Sequence, residues 1–419
     1  MHKFVIIFMT AICFNIMLMP QATAADAVKI GVIQPFSGPT AFYGEEAKRG
    51  VEMALERINS MGGVLSKKLE LIMEDGKGDP AVTISSAEKL IVRDKVVALM
   101  GIYSSTDALA LLAAMKKYEP ITIIQGGSAV KIDRMYGKER WLFLLLGRTP
   151  DYQRSISEFL NNIQPKPKRI AIIYEDTSFG VDQSKLAKEY LSKLGFELVA
   201  FEPFKGGALD HSALLTKIKG TSPDVLYVLA YVGDCILVTK QCKELGLSPK
   251  LLVGPTSIGM PEYNTSLKGD ADYVCGLDAW IASARFPASS QYPQFFPKTD
   301  DWVNEFKRKF NREPNWYSSF NYLSLVALTI AINKAGSTEK EKVIGALESL
   351  DTMTPFGHLK FSKNEFGSIH QGFKDLIVFQ WQKGEKVVVW PKVSSGGKYN
   401  IPCHHGISVK MRWKGEKSS

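Results

Sequence analysis

Val28-Lys29-Ile30-Gly31-Val32-Ile33-Gln34-Pro35-Phe36-Ser37-Gly38-Pro39 opens the patterned part of the chain, and Tyr43-Gly44-Glu45 heads the segment after it. The apolar run over 29–33 reads as a strand that the Gly/Ser/Pro turn ends. Residues 45–60 then place Ala47, Val51, Leu55 and Ile58 on one helical face, and Asn59-Ser60-Met61-Gly62-Gly63 closes the helix. Strand, turn and amphipathic helix in that order make one half of a βαβ unit. Open α/β sheets place ligands in the loop at the carboxyl end of such a strand.

The rhythm continues outward from this unit. Strands are expected over 69–74, 96–100 and 121–124, with helices over 80–94, capped by Asp79 and opened by Pro80, and over 106–118. A second series begins after Arg148-Thr149-Pro150: strands over 169–174, 197–201, 225–230 and 251–253, helices over 181–194, 212–219 and 234–245. Short, wholly apolar strands are what a sheet covered on both faces requires. Two such series predict an α/β protein of two doubly wound parallel-sheet lobes. Beyond Tyr273 the pattern changes to helices over 302–310, 322–334 and 340–350. A β-hairpin region over 357–361 and 375–381 follows, and the Gly/Ser/Lys-rich sequence beyond Pro391 is without period.

The N-terminus carries His2 and Lys3, an apolar stretch over 4–19 and small residues Ala22-Thr23-Ala24, which together read as a signal peptide over 1–25. The stretch is shorter than the roughly 20 residues of a spanning helix, and Cys13 follows Ile12 rather than a small residue, against a lipid-anchoring signal. The mature protein is therefore expected outside the cytoplasm. The formal charge of the whole chain is +9, and removing Lys3 with the signal leaves +8. That excess is dispersed, apart from Lys410, Arg412, Lys414 and Lys417 in a basic extension over 401–419, so no nucleic-acid partner is expected. Cys235 and Cys242 lie on one expected helix about 10 Å apart along its axis, too far to pair. Pairing of either with Cys275 and free buried thiols both stay open. No phosphate loop, His-Glu-x-x-His or Gly-x-Ser-x-Gly occurs, and Cys403-His404-His405 would splay its side chains to alternate sides. Neither an enzyme nor a cofactor or metal site is expected.

Several short segments carry a more specific signal. "SGPTAFYG" (37–44), "GIYSSTDALA" (101–110) and "IIQGGSAV" (123–130) fall at successive strand ends of the first series. "YEDTSFGVD" (174–182), "LAYVGD" (229–234), "NWYSSFNY" (315–322) and "FGHLKF" (356–361) follow. Together they resemble the branched-chain-amino-acid-type solute receptors of ABC importers, the type I periplasmic binding proteins. The resemblance implies that Tyr43 flanks a cleft and that Ser105, with Ser104 and Thr106 beside it, meets a ligand carboxylate. Gly126, Gly127 and Ser128 would offer backbone groups and a hydroxyl, while Phe179, Tyr231 and Tyr317 close over the solute. Small residues admit the backbone to a ligand, and helix N-termini near Ser104 and Ser128 favour an anion. One departure stands out: Gly254-Pro255-Thr256 places Thr256 where amino-acid-binding members carry the acid that pairs with the ligand ammonium. Burying an ammonium without a counter-charge is costly. An apolar or aromatic carboxylate is therefore expected over a zwitterionic amino acid, unless Glu175, Asp176 or Asp234 supplies the missing charge.

The resemblance further implies lobe I over 26–147 plus 279–355 and lobe II over 148–278 plus 356–400, joined by three hinge crossovers. The lobes would close over the solute, and the closed monomer would dock on a membrane permease served by an ATPase. The alternative is a periplasmic ligand-sensing protein of the same fold that feeds a sensor kinase.

Overall fold

The computed structural model describes residues 27–391. The expected signal peptide, Cys13, Cys403-His404-His405 and the basic extension lie outside them. From the N-terminus the chain forms β1 (Val28–Gln34), α1 (Ala41–Ser60), β2 (Leu69–Asp75), α2 (Pro80–Glu88), β3 (Ala98–Gly101), α3 (Ser105–Met115), β4 (Ile121–Ile124), α4 (Val130–Tyr136) and β5 (Leu142–Leu144). The strands lie in the order β2-β1-β3-β4-β5, all parallel, with Ile30 opposite both Leu71 and Ala98. Asp79 accepts hydrogen bonds from Ala81 and Val82 N–H and starts α2 ahead of Pro80, as the sequence predicts; a single π-turn, Lys89–Arg93, finishes that helix.

Helix α5 (Thr149–Asn162) leads to β6 (Arg169–Glu175), α6 (Ser178–Lys193), β7 (Glu197–Phe204), α7 (Ser212–Gly220), β8 (Val225–Leu229), α8 (Val232–Glu244), β9 (Leu251–Gly254), α9 (Pro261–Leu267) and β10 (Cys275–Asp278). Next come α10 (Thr299–Phe310), α11 (Trp316–Ala335), α12 (Lys340–Glu348), β11 (Asp351–Thr354), β12 (Gly357–Lys360), β13 (Ile377–Gln382) and β14 (Glu385–Trp390). The second sheet runs β14-β13-β10-β9-β8-β6-β7, parallel except where β13 meets its neighbours. The segments over 357–361 and 375–381 do not pair with each other as a hairpin region would. Instead β12 pairs with β11 and β13 with β14, because each has an antiparallel partner one tight turn away. The β11–β12 ribbon straddles residue 355.

Helix α11 returns to pack along α1 on the first sheet, while α5 packs on α6 and β13 of the second. The chain thus passes between the sheets after β5, after β10 and again before β13. In each sheet the chain lays its second strand on one side of the first and its third on the other, so the order reverses between β1 and β3 and between β6 and β8. The carboxyl ends of those strands are where such a sheet holds ligand. The loops after β1, β3 and β4 face those after β6, β8 and β9. The cysteines within the described residues, Cys235, Cys242 and Cys275, are free and buried, which resolves the pairing the sequence left open. Among the described residues no helix is long and apolar enough to cross a membrane.

Candidate functional site

The loop after β1 is pinned by Asp75, which accepts hydrogen bonds from Phe36 N–H (2.9 Å) and the Ser37 hydroxyl (2.6 Å). This sets α1 so that Tyr43 points inward, fully buried, with its ring stacked on Tyr103 at 3.4 Å. After β3, Ser104 caps α3 by accepting Asp107 N–H at 3.0 Å. Ser105, the first helical residue, accepts the N–H of Ala129 at 3.2 Å and thereby ties the β3 loop to the β4 loop. Gly126 is needed there because any Cβ would lie 2.2 Å from the Tyr103 carbonyl oxygen.

Arg148 locks the β4 loop from beneath. Its fully buried guanidinium donates to Gly127 O (2.9 Å), Ala129 O (3.0 Å) and Asp133 Oδ2 (2.7 Å). From the other layer, Thr177 caps α6 by accepting Gly180 N–H, which sets Phe179 in the first turn. Tyr231 starts α8 and Thr256 starts the short 3-10 turn after β9. Direct bonds cross between the layers: Asp182 Oδ2 accepts Val130 N–H (2.8 Å), and Gln183 Nε2 donates to Ser128 Oγ at 3.4 Å; the same Asp182 oxygen accepts the hydroxyl of Thr149 (2.5 Å), the first residue of α5. Farther along, Arg312 reaches both Glu46 of α1 (2.9 Å) and Glu262 of α9 (3.1 Å).

Of the residues named from sequence, the structure gathers Ser105, Gly126, Gly127, Ser128, Phe179, Tyr231 and Thr256 around one pocket, joined by Tyr103, Leu146, Tyr152 and Trp316. The pocket is tight, about 10 Å³, room for one water at most. Tyr231 stacks on Phe179 at 5.2 Å and leans on Tyr103 at 5.3 Å, and these rings fill the centre. Ser105 Oγ accepts Ala129 N–H, and Ser128 Oγ accepts Gln183 Nε2 and is also hydrogen-bonded to the Tyr152 hydroxyl. A hydroxyl bonded that way still has its O–H to donate. The pocket therefore sets two hydroxyls among aromatic walls. Thr256 Oγ1 lies 3.3 Å from the Tyr152 hydroxyl and brings no charge.

Ser104 and Thr106 fall elsewhere, in a chamber of about 430 Å³ next door that shares Tyr231 as its wall. Asp107, Glu175, Asp176 and Asp234 also line this chamber. Tyr43 sits behind Tyr103. Tyr317 is buried in the core, where its hydroxyl donates to Gln34 Oε1 at 2.7 Å. Sequence reasoning passed over Tyr152 and Trp316 as pocket residues and Arg148 as their neighbour. The one available signal was position: Arg148 and Tyr152 flank the Thr-Pro that opens α5, and Trp316 precedes Tyr317.

Two facing lobes whose loops meet at both switch points are the architecture of a binding protein with a cleft between its lobes. A family model described as "Periplasmic binding protein" matches residues 27–386, and the chain belongs to that family. Its fold is that of type I periplasmic binding proteins. It is similar to the Leu/Ile/Val-binding protein homolog 7 of Brucella abortus (strain 2308), 29% identical over 404 residues, which covers 91% of this chain and 96% of the relative. An amino acid binding protein of Pseudomonas aeruginosa is 26% identical over 370 residues, covering 88% and 93%. Among solved structures, LivJ of Streptococcus pneumoniae in complex with isoleucine matches with a TM-score of 0.75 at 21% identity, covering 87% of this chain and all of LivJ. A Rhodopseudomonas palustris solute binding protein in complex with benzoate matches at 0.74 and 16% identity, covering 87% and 96%. At these identities the structural matches speak for the fold.

Proposed function

We propose that this protein is the periplasmic solute receptor of an ABC importer and that it binds a small carboxylate-bearing molecule between its lobes. The carboxylate would accept hydrogen bonds from the Ser105 and Ser128 hydroxyls and from the N–H groups of the Gly126–Ser128 loop. Phe179, Tyr231, Tyr103 and Trp316 would close on the apolar body, where aromatic faces supply large contact area. The observation that carries this reading is the pair of serines brought from two loops to one pocket, each held in place by a hydrogen bond that its hydroxyl oxygen accepts. Isoleucine and benzoate, the solutes in the two structural matches, differ in body and charge but share a carboxylate, which supports the same anchor here.

Because the rings leave so little room, entry requires the lobes to part; closure then buries the solute. Since β12 pairs with β11, the last crossing between lobes would fall after residue 360. The closed receptor would present its solute to permease subunits in the inner membrane, with ATP used by a separate subunit. A thermal-shift screen of the mature protein over amino acids, aromatic acids and aliphatic acids tests this. Ligand at about 100 times its Kd adds about 2.7 kcal/mol to the native state. At least one carboxylate should raise the melting temperature while its amide or methyl ester does not. A screen in which no carboxylate does so would refute the anchor.

A further inference from the structure

Glu175 ends β6 between the loops that carry Phe179 and Tyr231, and it is only 1% exposed. One of its oxygens accepts Tyr231 N–H at 2.7 Å, at the residue that starts α8. The same carboxyl is hydrogen-bonded to that of Asp234, in the first turn of α8. Asp234 accepts Gly207 N–H at 2.8 Å on one oxygen and has His211 Nε2 at 3.1 Å from the other. His211 is fixed from behind: its backbone N–H donates to Gln241 Oε1 at 2.8 Å, and its ring rests on Phe204 at 4.5 Å. Ionised carboxylates only accept hydrogen bonds, so two of them bond to each other only through a retained proton. Asp234 has the more donors and, at 8%, the greater exposure, so the negative charge belongs on Asp234 and the proton on Glu175.

We infer that Glu175 is a positioning residue that works as a neutral acid: its proton ties it to Asp234 and His211, this buried series sets the Tyr231 wall, and solute capture weakens once the proton leaves. The inference rests on the covering role proposed above for Tyr231. With the proton gone, Glu175 and Asp234 would face each other as like charges and their bond would break. Tyr231 N–H would then lose the acceptor that holds its ring against Phe179 at 5.2 Å and Tyr103 at 5.3 Å. The groups facing Glu175 are Asp176 beside it, Tyr231, Asp234 and Cys235 from α8, and Asp107 of α3 across the chamber. His211 stands behind Asp234, and the chamber's cations, Lys77 and Lys205, are exposed. Burial holds the Glu175 carboxyl well above the usual carboxylate range, and Asp234 adds to this. Burial opposes ionisation of Asp234 as well, but bonds from His211, Gly207 and Glu175 outweigh it and keep Asp234 low. Native Glu175 therefore holds its proton more tightly than the unfolded chain does. What it contributes is complete below the ordinary carboxyl range and is lost as pH rises through the folded value.

Infrared spectroscopy and calorimetry of the mature protein test this together. At pH 7 the difference spectrum of wild type minus Glu175→Gln should show the C=O stretch of a protonated carboxylic acid. Leucine, phenylalanine, 4-methylpentanoate and benzoate serve as binding probes. For each that binds wild type, Kd should rise about tenfold or more between pH 6 and pH 9. Glutamine can donate to Asp234 and accept Tyr231 N–H as the neutral acid does, so Glu175→Gln should match wild type at pH 6 and keep that affinity at pH 9. Titration of the probe, of His211 or of Asp107 is common to both proteins and cancels. Glu175→Met can make neither bond and should bind about tenfold more weakly than wild type at pH 6. If Glu175→Met fails to fold, Glu175→Gln and the infrared band still decide. A spectrum without the acid band, equal pH dependence in wild type and Glu175→Gln, or lost affinity in Glu175→Gln at pH 6 overturns the inference and leaves the carboxylate anchor standing. Failure of every probe to bind overturns the solute reading and pH-dependent capture with it, while the band still reports the proton.

Discussion

Replacing Arg148 by Met tests how the β4 loop is held. The guanidinium is fully buried and makes three bonds of 2.7–3.0 Å, to the Asp133 carboxylate and to the Gly127 and Ala129 carbonyls. Met matches much of the apolar stem but supplies no donor. Asp133 would keep only Asn364 Nδ2, at 2.9 Å on its other oxygen. Removing one partner of a buried pair costs about 3–5 kcal/mol, because the remaining charge stays buried. Urea unfolding at pH 7 should show a loss in that range for Arg148→Met. Adding Asp133→Asn removes the stranded charge, so the double variant should be more stable than the two single losses summed predict, with a coupling of about 1–3 kcal/mol. Solute affinity should fall about tenfold, or 1.4 kcal/mol, as the Gly127–Ala129 backbone loses its clamp. A loss under 1 kcal/mol in Arg148→Met, or additive single losses, would refute this reasoning.

Glu46 is buried, and burial pushes its carboxyl up to about 7 against the opposing pull of Arg312. Its folded value lies above the unfolded one near 4.5, so the native state holds that proton more tightly. The stability it contributes is full below pH 4.5 and is lost through pH 7, about 3 kcal/mol in all; Glu46→Gln should flatten that part of a stability-versus-pH series. Arg312→Ala removes the bridge between Glu46 and Glu262 that links α1 to α9, so small-angle scattering should show a larger radius of gyration than wild type at equal saturation with solute; identical radii would exclude a latch. Gly126→Ala forces a Cβ to within 2.2 Å of the Tyr103 carbonyl, and chemical denaturation should register a loss of about 1–3 kcal/mol.

Much of the fold was legible because parallel strands covered on both faces must be short and apolar, and their helices must be amphipathic. The carboxyl ends of such strands share one edge of the sheet, so Ser105, Gly126 and Ser128 converge without any knowledge of tertiary contacts. The same logic brings Phe179, Tyr231 and Thr256 together from the second sheet. Pairing of the late strands was not legible, since alternation marks a strand but not its partner. Helix α11 begins at Trp316, six residues before its expected start, because Asn315 accepts Tyr317 and Ser318 N–H groups and caps it there. That earlier start turns Tyr317 toward Gln34 and gives the pocket Trp316 instead. Arg148 and the Glu175–Asp107 chamber depend on which loops meet across the lobes, and no local pattern encodes that meeting. The acids were visible as candidates; that Glu175, Asp234 and His211 form one buried hydrogen-bonded series became evident only in three dimensions.

The carboxylate anchor is tested most directly by calorimetric titration of the tightest-binding carboxylate from the thermal-shift screen into wild type and into Ser105→Ala/Ser128→Ala. Each serine would lose a hydrogen bond to a charged group worth roughly 1–2 kcal/mol. The double variant should therefore bind about 2–4 kcal/mol more weakly, roughly a 30- to 1,000-fold rise in Kd, while the amide of the same solute loses far less. Equal affinity of the two proteins for the carboxylate would contradict the anchor and remove both serines from the site.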